Sequence, residues 1–441
     1  MNILRFDSPD FLDRLSLLNR RATVSPEVGE TVKQILAAVT ERGDAAVLEY
    51  TEKFGGPRIE PSGMLVTNKE VHAAEVVTLD EVKAALQLAH ENIRAFAKVG
   101  LRENWSTRNH QGVEVGEMYH PFERVGIYVP GGTAPLVSSA LMTVTLAATA
   151  GVPQIVVATP AGFDGKVHPA LLCALKLAGA TEIYRIGGAQ AIAALAIGTG
   201  TIAPVAKIFG PGNAYVVEAK RQVFGTVAID LLPGPSEILI IADHTAHAAC
   251  IAADLLAQAE HGQGSVILIT DHEELIKDVI ISMESQMTGA TRVEHLDHVL
   301  SDNCFFVLVG TIDDAVRIAN DFAPEHVAIV AEQEDLIASQ IRTAGAIFLG
   351  HWSPVAGGDF VAGPSHELPT GGSGKSFSGL TVDQFQRRTS IVRFNEESLR
   401  RSLPAIQTIS RVEGLDRHGA SAAIRFGSDP ALLPAQPVHE L

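Results

Sequence analysis

Two histidine-containing segments carry the side chains best suited to chemistry. In the segment QAEHG, Gln258 and His261 stand three residues apart near the end of an expected helix, so both project from one helical face. An imidazole nitrogen and an amide oxygen are acceptable ligands for a borderline cation such as zinc. The alternative is a histidine that stabilises the negative end of a helix dipole. Taken alone, the spacing favours this alternative.

The segment APEHV places Glu325 and His326 side by side, after Pro324 and before an expected strand. Proline restricts the backbone here, and we expect the pair where an α/β fold usually places its ligand crevice. Adjacent side chains do not point the same way, which suits two different proton transfers: a carboxylate that activates water and an imidazole that takes an alcohol proton. The alternative is a surface glutamate beside a half-buried histidine at a strand edge.

Two further segments hold candidate ligands without a specific spacing. Asp359 and His366 lie in a stretch rich in Gly and Pro that we expect to form a long loop over 357–379. Asp359 could complete a metal shell of oxygen and nitrogen atoms, although a structured turn explains the loop equally well. Glu413 and His418 are five residues apart on an expected helix, where a solvated face is the default interpretation.

Three glycine motifs, VPGGTAP, RIGGAQA and FGPGNAY, each lie where an expected strand turns into a helix. Free backbone N–H groups at such turns hold pyrophosphate. None of the motifs matches GxGxxG, so the pattern allows a dinucleotide without establishing one. No Walker lysine motif is present, which leaves a kinase or ATPase without support.

The elements that position these residues alternate between short β-branched runs and longer helical patterns. One alternation runs over about 123–225 and a second over about 238–350. Such alternation indicates parallel sheets covered on both faces, and two of them in succession predict two Rossmann-like α/β domains. The first hundred residues and the region after about 381 have helical patterns.

Composition limits the class of protein. The chain has 441 residues, 46% of them apolar and 19% charged, as in soluble globular proteins. A net charge of -17 argues against a nucleic-acid partner. The uncharged stretch from Val125 to Phe163 is broken by Pro and Gly, so we expect two strands around a helix and no membrane span. The distant cysteines Cys173, Cys250 and Cys304 favour a reducing compartment over disulfides.

Taken in order, the segments resemble the histidinol dehydrogenase family from roughly Ser25 to Arg425. The matching runs are RVGIYVPGGTAP, GGAQAIAALA, KIFGPGNAYVVEAK, GPSEILIIAD, DLLAQAEHG, APEHV, GDFVAGPSHELPTGG and EGLDRH. One such motif would be weak evidence, but eight in the correct order are very specific. Ala206, Pro233 and Val327 depart from the family pattern, and none of them is a proposed ligand.

The resemblance implies a role for each matching residue. Glu325 and His326 would be the proton-transferring pair. One zinc ion per subunit would be held by Gln258, His261, Asp359 and His418, and NAD would contact Tyr128, Gln190 and Asn213. The substrate would contact Ser236, His366 and Glu413, together with His326 and the four zinc ligands.

The resemblance also implies a fold, an assembly and a reaction. We expect an α/β fold with two Rossmann-like parallel-sheet domains and small helical N- and C-terminal domains, in a segment-exchanged homodimer whose subunits share each active site. The expected divisions are an arm (1–24), a first α/β domain with the metal and catalytic residues (25–127 and 237–378), an NAD-binding domain (128–236) and a C-terminal helical domain (379–441). The implied activity is the cytoplasmic, NAD-dependent oxidation of L-histidinol through L-histidinal to L-histidine. A related zinc alcohol dehydrogenase acting on another small polar alcohol is the alternative.

Overall fold

The computed structural model describes residues 1–18, 25–131 and 135–427. Within these ranges the strands are β1 (Asn2–Arg5), β2 (Trp105–Arg108), β3 (Glu114–Pro121), β4 (Arg124–Tyr128), β5 (Gln154–Ala158), β6 (Glu182–Tyr184), β7 (Lys207–Phe209), β8 (Ala228–Ile229), β9 (Glu237–Ala242), β10 (Ser265–Thr270), β11 (Cys304–Leu308), β12 (His326–Val330), β13 (Ala346–Leu349) and β14 (Gln386–Arg393). The α-helices are α1 (Phe11–Leu15), α2 (Pro26–Arg42), α3 (Asp44–Lys53), α4 (Asn68–Val77), α5 (Asp80–Gly100), α6 (Val137–Thr149), α7 (Pro169–Ala178), α8 (Gly188–Ile197), α9 (Ala214–Val223), α10 (Ala248–Ala259), α11 (Glu273–Gln286), α12 (Val293–Asp302), α13 (Ile312–Phe322), α14 (Glu334–Gln340), α15 (Val355–Phe360), α16 (Glu396–Val412) and α17 (Asp416–Ala423).

A six-stranded parallel sheet has the order β1-β11-β10-β9-β12-β13. Its central strands are continuous apolar runs, so both faces must be covered by other elements. In β9, Ile238 and Ile240 pack with α10, α11 and α12 on one face. Leu239 and Ile241 pack with α13 on the other face. The second expected α/β alternation is therefore confirmed.

A five-stranded parallel sheet has the order β6-β5-β4-β7-β8. Helices α6 and α7 cover one face, and α8 and α9 cover the other. This sheet confirms the first expected alternation. The helix expected within the uncharged stretch is α6, which begins at Val137.

The N-terminal helices pack on the five-stranded sheet. Buried residues of α2 and α3 join the cluster under α8 and α9, while those of α4 and α5 join the cluster under α6 and α7. The expectation that residues 25–127 belong with 237–378 is therefore wrong for these helices, because their apolar faces bury against the other sheet. In addition, β1 lies inside the expected arm and pairs with β11. The other expected domain borders remain predictions.

The described residues of the uncharged stretch Val125 to Phe163 form most of β4, then α6 and β5. Its apolar residues fill the core around the five-stranded sheet. In the part of the chain that the structure describes, no helix combines the length and the apolar character needed to cross a membrane.

The chain divides into two compact units, residues 1–101 with 122–385, and residues 102–121 with 386–441. The described part of unit 2 contains an antiparallel sheet, β14-β3-β2, and the helices α16 and α17. The expected helical C-terminal region thus begins with the strand β14. Its partner β3 lies more than 260 residues earlier in the chain, as in the pair Gln386–Pro121, which local patterns do not reveal. Residues 379–385 belong to unit 1.

Candidate active site

The polar side chains of unit 1 gather at the amino ends of β9 and β12. Ser236 directly precedes β9, Glu325 directly precedes β12, and His326 is the first residue of β12. Parallel pairing places His326 opposite Ile238, so the starts of the two strands lie side by side. From the sequence we expect the pair where α/β folds usually have their crevice, which is the carboxyl edge of the sheet. That location is wrong, since the pair lies at the amino edge.

The position at the amino edge has an electrostatic consequence. Helices that lead into parallel strands direct their C-termini, with their partial negative charge, towards this edge. Helix α10 ends here at Ala259 and leads into β10. Such an environment favours a bound cation over a phosphate.

Glu325 is buried, with 6% of its surface exposed. Its Oε2 accepts hydrogen bonds from the Ser236 hydroxyl and, at 2.8 Å, from the backbone N–H of Glu237. Burial raises the pKa of Glu325 to about 8, and the two hydrogen bonds oppose this rise. A carboxylate with such a pKa can exchange a proton near neutral pH, as a general base must.

His326 is also held by Glu237, the first residue of β9. Its Nδ1–H donates to the backbone oxygen of Glu237 at 3.1 Å, and 3% of its surface is exposed. Burial lowers the pKa of His326, so the ring is neutral near pH 7. Among the described residues its Nε2 has no hydrogen-bond partner, and the nearest Asp359 oxygen is 3.6 Å away. A neutral imidazole with a bare Nε2 is suited to accept a proton.

Gln258 and His261 meet as the spacing predicted. The amide nitrogen of the buried Gln258 donates to Nδ1 of His261 at 2.9 Å, which leaves the amide oxygen as the atom able to bind a cation. Burial lowers the pKa of His261, while the nearby charge of Asp359 opposes this shift. A neutral imidazole is the form that binds metals. Because the Gln258 amide occupies Nδ1, the proton of the neutral ring lies on Nε2, and a cation would have to displace this hydrogen bond.

Asp359 lies on α15, so the expected long loop contains a short helix here. Its backbone oxygen accepts a hydrogen bond from Nδ1–H of His366 at 2.9 Å. His366 Nε2 faces the Ser139 hydroxyl at 3.1 Å and Glu367 Oε1 at 3.5 Å. Burial lowers the pKa of His366, but Glu367 and Asp359 outweigh burial, and the net shift is upward.

The donor set of unit 1 fits a cation only in part. Gln258, His261 and Asp359 supply one amide oxygen, one imidazole and one carboxylate, a donor set that zinc accepts. Within the described ranges no group of three or more His, Cys, Asp or Glu side chains forms a metal cage. The cysteines do not help, since Cys173 and Cys304 are buried elsewhere and Cys250 lies on α10, eleven residues before His261. A fourth ligand would have to come from outside this group.

Glu413 and His418 lie in unit 2. Glu413 directly follows α16 as its C-cap, and His418 lies in the first turn of α17, so the expected single helix is two helices joined by a turn at Gly414. Both side chains are exposed. Their contact with the unit 1 residues remains a prediction.

A second site lies at the carboxyl ends of β4, β6 and β7, as the glycine motifs indicated. It is an open cleft of ≈ 980 Å³ whose lining includes Tyr128, Gln190 and Asn213. Gln190 is 2% exposed, and its Oε1 has no hydrogen-bond partner among the described residues. The N-termini of α8 and α9 begin beside the cleft, at Gly188 and Ala214, and favour a bound anion.

Several residues of both sites were not predicted from the sequence. Ser139 and Glu367 contact His366, and the backbone of Glu237 orients the Glu325–His326 pair. Glu237 and Glu367 directly follow residues that the resemblance singled out, so their neighbourhood was the available signal. Ile35 and Phe54 line the cleft from the N-terminal helical region, and no local pattern pointed to them.

Comparison with known proteins gives a consistent result. The family model for histidinol dehydrogenase matches residues 18–426. A histidinol dehydrogenase of Heliobacterium mobile is 42% identical over 416 residues, which covers 94% of this chain and 97% of that relative. One of Rhizobium meliloti is 46% identical over 415 residues, covering 94% and 95%. The solved histidinol dehydrogenase of Elizabethkingia anophelis superposes with a TM-score of 0.92 at 32% identity, covering 97% and 98%.

Proposed function

The chain belongs to the histidinol dehydrogenase family, a family of oxidoreductases, and we propose that it oxidises L-histidinol through L-histidinal to L-histidine. NAD is the proposed hydride acceptor in both oxidations, which are the last steps of histidine biosynthesis. The matches over more than nine tenths of the chain favour this activity over that of a zinc alcohol dehydrogenase with another substrate. We further propose that the protein acts in the cytoplasm.

The proposed metal is one zinc ion per subunit, held by Gln258, His261, Asp359 and His418. When bound, zinc would hold the imidazole and the amine of the substrate and orient its hydroxyl-bearing carbon. The proposal is supported by the neutral imidazole of His261, by the nearby charge of Asp359 and by the C-terminus of α10. The same ligands would thereby contact the substrate.

His326 is the proposed base for the substrate hydroxyl. Its Nδ1–H is fixed on the backbone oxygen of Glu237, so the lone pair is on the bare Nε2. Removal of the hydroxyl proton by Nε2 accompanies departure of the hydride from the adjacent carbon. Asp359 lies 3.6 Å from that nitrogen and favours the resulting imidazolium.

Glu325 is the proposed base for water. The aldehyde must be hydrated before a second hydride can leave, and a carboxylate with a pKa of about 8 can take a proton from water as the water attacks. The hydroxyl of Ser236 donates to Glu325 and fixes its orientation. Ser236 and His366 are proposed substrate contacts, because Ser236 donates to Glu325 and His366 donates to the backbone oxygen of Asp359.

NAD is proposed to bind in the open cleft, in contact with Tyr128, Gln190 and Asn213. Two helix N-termini begin at the glycine motifs there, and they favour the negative charge of a pyrophosphate. An open cleft suits a cofactor that must leave as NADH and be replaced while the aldehyde stays bound.

Glu413 and His418 are proposed to act from the partner subunit of a segment-exchanged homodimer. Both side chains are exposed in the chain itself. Within the described ranges, the unit 1 donors alone form no metal cage of three or more His, Cys, Asp or Glu. A ligand supplied by a second copy would complete the donor set, and Glu413 would bind the imidazole of the substrate.

The observation that carries the proposal is the shared anchoring of Glu325 and His326 on the two backbone groups of Glu237. The experiment is steady-state turnover of L-histidinol with NAD, with zinc content measured on the same protein. The wild type should form two NADH per histidinol. Glu325→Gln and His326→Asn should lose turnover, whereas Glu332→Gln, an exposed glutamate beyond the other end of β12, should not. Normal turnover in both site variants would reject the assigned roles.

The same assay separates the alternative activity. A panel of amino alcohols without an imidazole should be oxidised far more slowly than L-histidinol. Faster turnover of another small polar alcohol would favour the alternative.

A further inference from the structure

A buried ion pair lies beneath the third glycine motif. Lys220 on α9 and Asp230, just after β8, form a salt bridge in which both side chains are at most 1% exposed. Lys220 Nζ also donates to the backbone oxygen of Gly210 at 2.7 Å. Asp230 Oδ2 accepts from the backbone N–H of the same glycine at 2.7 Å. The ion pair therefore satisfies both polar groups of one residue.

Gly210 directly contacts the strand that carries Tyr128. Its φ is +106°, and a Cβ atom placed on it would lie 2.1 Å from the backbone oxygen of Tyr128. Only glycine allows so close an approach in this conformation. The ion pair thus holds the start of the segment 210–213 against the end of β4.

The contacts continue from Tyr128 to the other side of the cleft. The hydroxyl of Tyr128 accepts a hydrogen bond from the backbone N–H of Gly188, at the start of α8. At the other end of the segment, Oδ1 of Asn213 accepts from the N–H groups of Tyr215 and Val216 and caps α9. The walls that carry Tyr128, Gln190 and Asn213 are therefore set relative to one another through Gly210.

An ion pair is an expensive way to fill this part of the core. Removing two charges from water costs free energy that their attraction rarely exceeds, and a pair of apolar side chains would fill the same space. What an apolar pair cannot supply is a hydrogen-bond donor and an acceptor for Gly210. The chemistry of the pair therefore points to the backbone that it holds.

We propose that Lys220 and Asp230 are positioning residues that fix the segment 210–213 against Tyr128 and so set the affinity for the dinucleotide. The inference rests on the proposed function, because it assigns the cleft to NAD. The substrate site should be insensitive to the pair, since Gly234 and Ser236 have their own anchors on Thr370 and Glu325.

The test compares two charge-neutral double variants. Lys220→Met/Asp230→Leu fills the space but gives Gly210 no partner, whereas Lys220→Gln/Asp230→Asn retains a donor and an acceptor. The readouts are the Kd for NAD+ and for L-histidinol by titration calorimetry, the melting temperature and the zinc content. We expect the Met/Leu variant to bind NAD+ roughly tenfold more weakly, which is about 1.4 kcal/mol. The Gln/Asn variant should recover about half of that loss in binding free energy, and histidinol affinity and zinc content should not change.

A matched control is the ion pair of Arg124 and Glu182, at the amino ends of β4 and β6 in the same sheet. Arg124→Met/Glu182→Met should change the melting temperature without changing the Kd for NAD+. The pair lies at the opposite edge of the sheet from the glycine motifs.

The outcomes separate the inference from the proposed function. If the wild-type protein does not bind NAD+, the proposed function fails and the inference falls with it. If the wild type binds NAD+ and the Met/Leu variant binds it equally well, the inference alone is overturned, whatever happens to the melting temperature. Should the Met/Leu variant not fold, the Gln/Asn variant decides. Because Gln is shorter than Lys, the Kd of the Gln/Asn variant for NAD+ should rise roughly threefold above that of the wild type. An unchanged Kd for NAD+ overturns the inference.

Discussion

Glu325→Gln should make the protein more stable at alkaline pH while it removes activity. Burial raises the pKa of Glu325 from its ordinary 4.5 to about 8. The folded state therefore binds this proton more tightly than the unfolded state. The stabilisation that comes from this tighter proton binding is fully present below pH 4.5 and is lost as the pH rises towards 8. Glutamine is neutral at every pH and can still accept hydrogen bonds from Ser236 and Glu237.

The size of the effect follows from the shift. One pKa unit corresponds to about 1.4 kcal/mol. A shift from 4.5 to about 8 therefore lowers the free energy of unfolding at pH 8 by up to about 4 kcal/mol, because the folded protein must hold the buried carboxylate in its ionised form. At pH 6 the same shift lowers the free energy of unfolding by about 2 kcal/mol. The stability of the variant relative to the wild type should therefore rise by about 2 kcal/mol between pH 6 and pH 8.

The assay is thermal unfolding of both proteins in a chelator at pH 6 and pH 8, with calorimetric detection. The chelator removes the pH dependence of metal binding from the comparison. Glu332→Gln, an exposed glutamate, should show the same melting-temperature difference from the wild type at both values. If the difference between Glu325→Gln and the wild type were also independent of pH, the raised pKa would be refuted.

Three further predictions concern the base, the cleft and the metal. His326→Asn should lower kcat at least about a hundredfold with little change in KM, because the base acts mainly in the transition state. An increase in KM by a similar factor would instead indicate a role in binding the substrate. Gly210→Ala should weaken NAD+ binding and lower the melting temperature, since the new Cβ would lie 2.1 Å from the Tyr128 oxygen; calorimetry that finds neither change would contradict the close contact. His261→Asn should lose zinc after dialysis, as measured by atomic absorption, whereas the exposed control His272→Asn should retain it; retention in both would reject His261 as a ligand.

Sequence patterns predicted the two sheets well because their information is local. The continuous apolar strands β9 and β10, and the helix α10 between them, have their own periodicity and turn residues. The spacing of Gln258 and His261 likewise predicted their contact, because both lie within one turn near the end of α10. The resemblance to a family added roles that spacing left open.

The location of the pair Glu325–His326 depended on more than local pattern. A residue before a strand lies at the amino edge of a parallel sheet, but only the pairing of β12 with β9 shows which groups face it there. That pairing brings the backbone of Glu237 and the hydroxyl of Ser236 to the pair across more than 85 residues of chain. Burial among these neighbours, and not the residue types, produces the shifted pKa values.

The sequence by itself determined the α/β class, the succession along the chain of most strands and helices in the two α/β alternations, and the set of side chains able to do chemistry. These follow from periodicity and residue type, which act over a few residues. The tertiary structure alone decided that α2 to α5 pack on the five-stranded sheet, that β14 pairs with β3, and that one buried ion pair holds Gly210. Each of these depends on contacts between residues that are distant in the chain or on exclusion of water from a site, and neither leaves a local signal in the sequence.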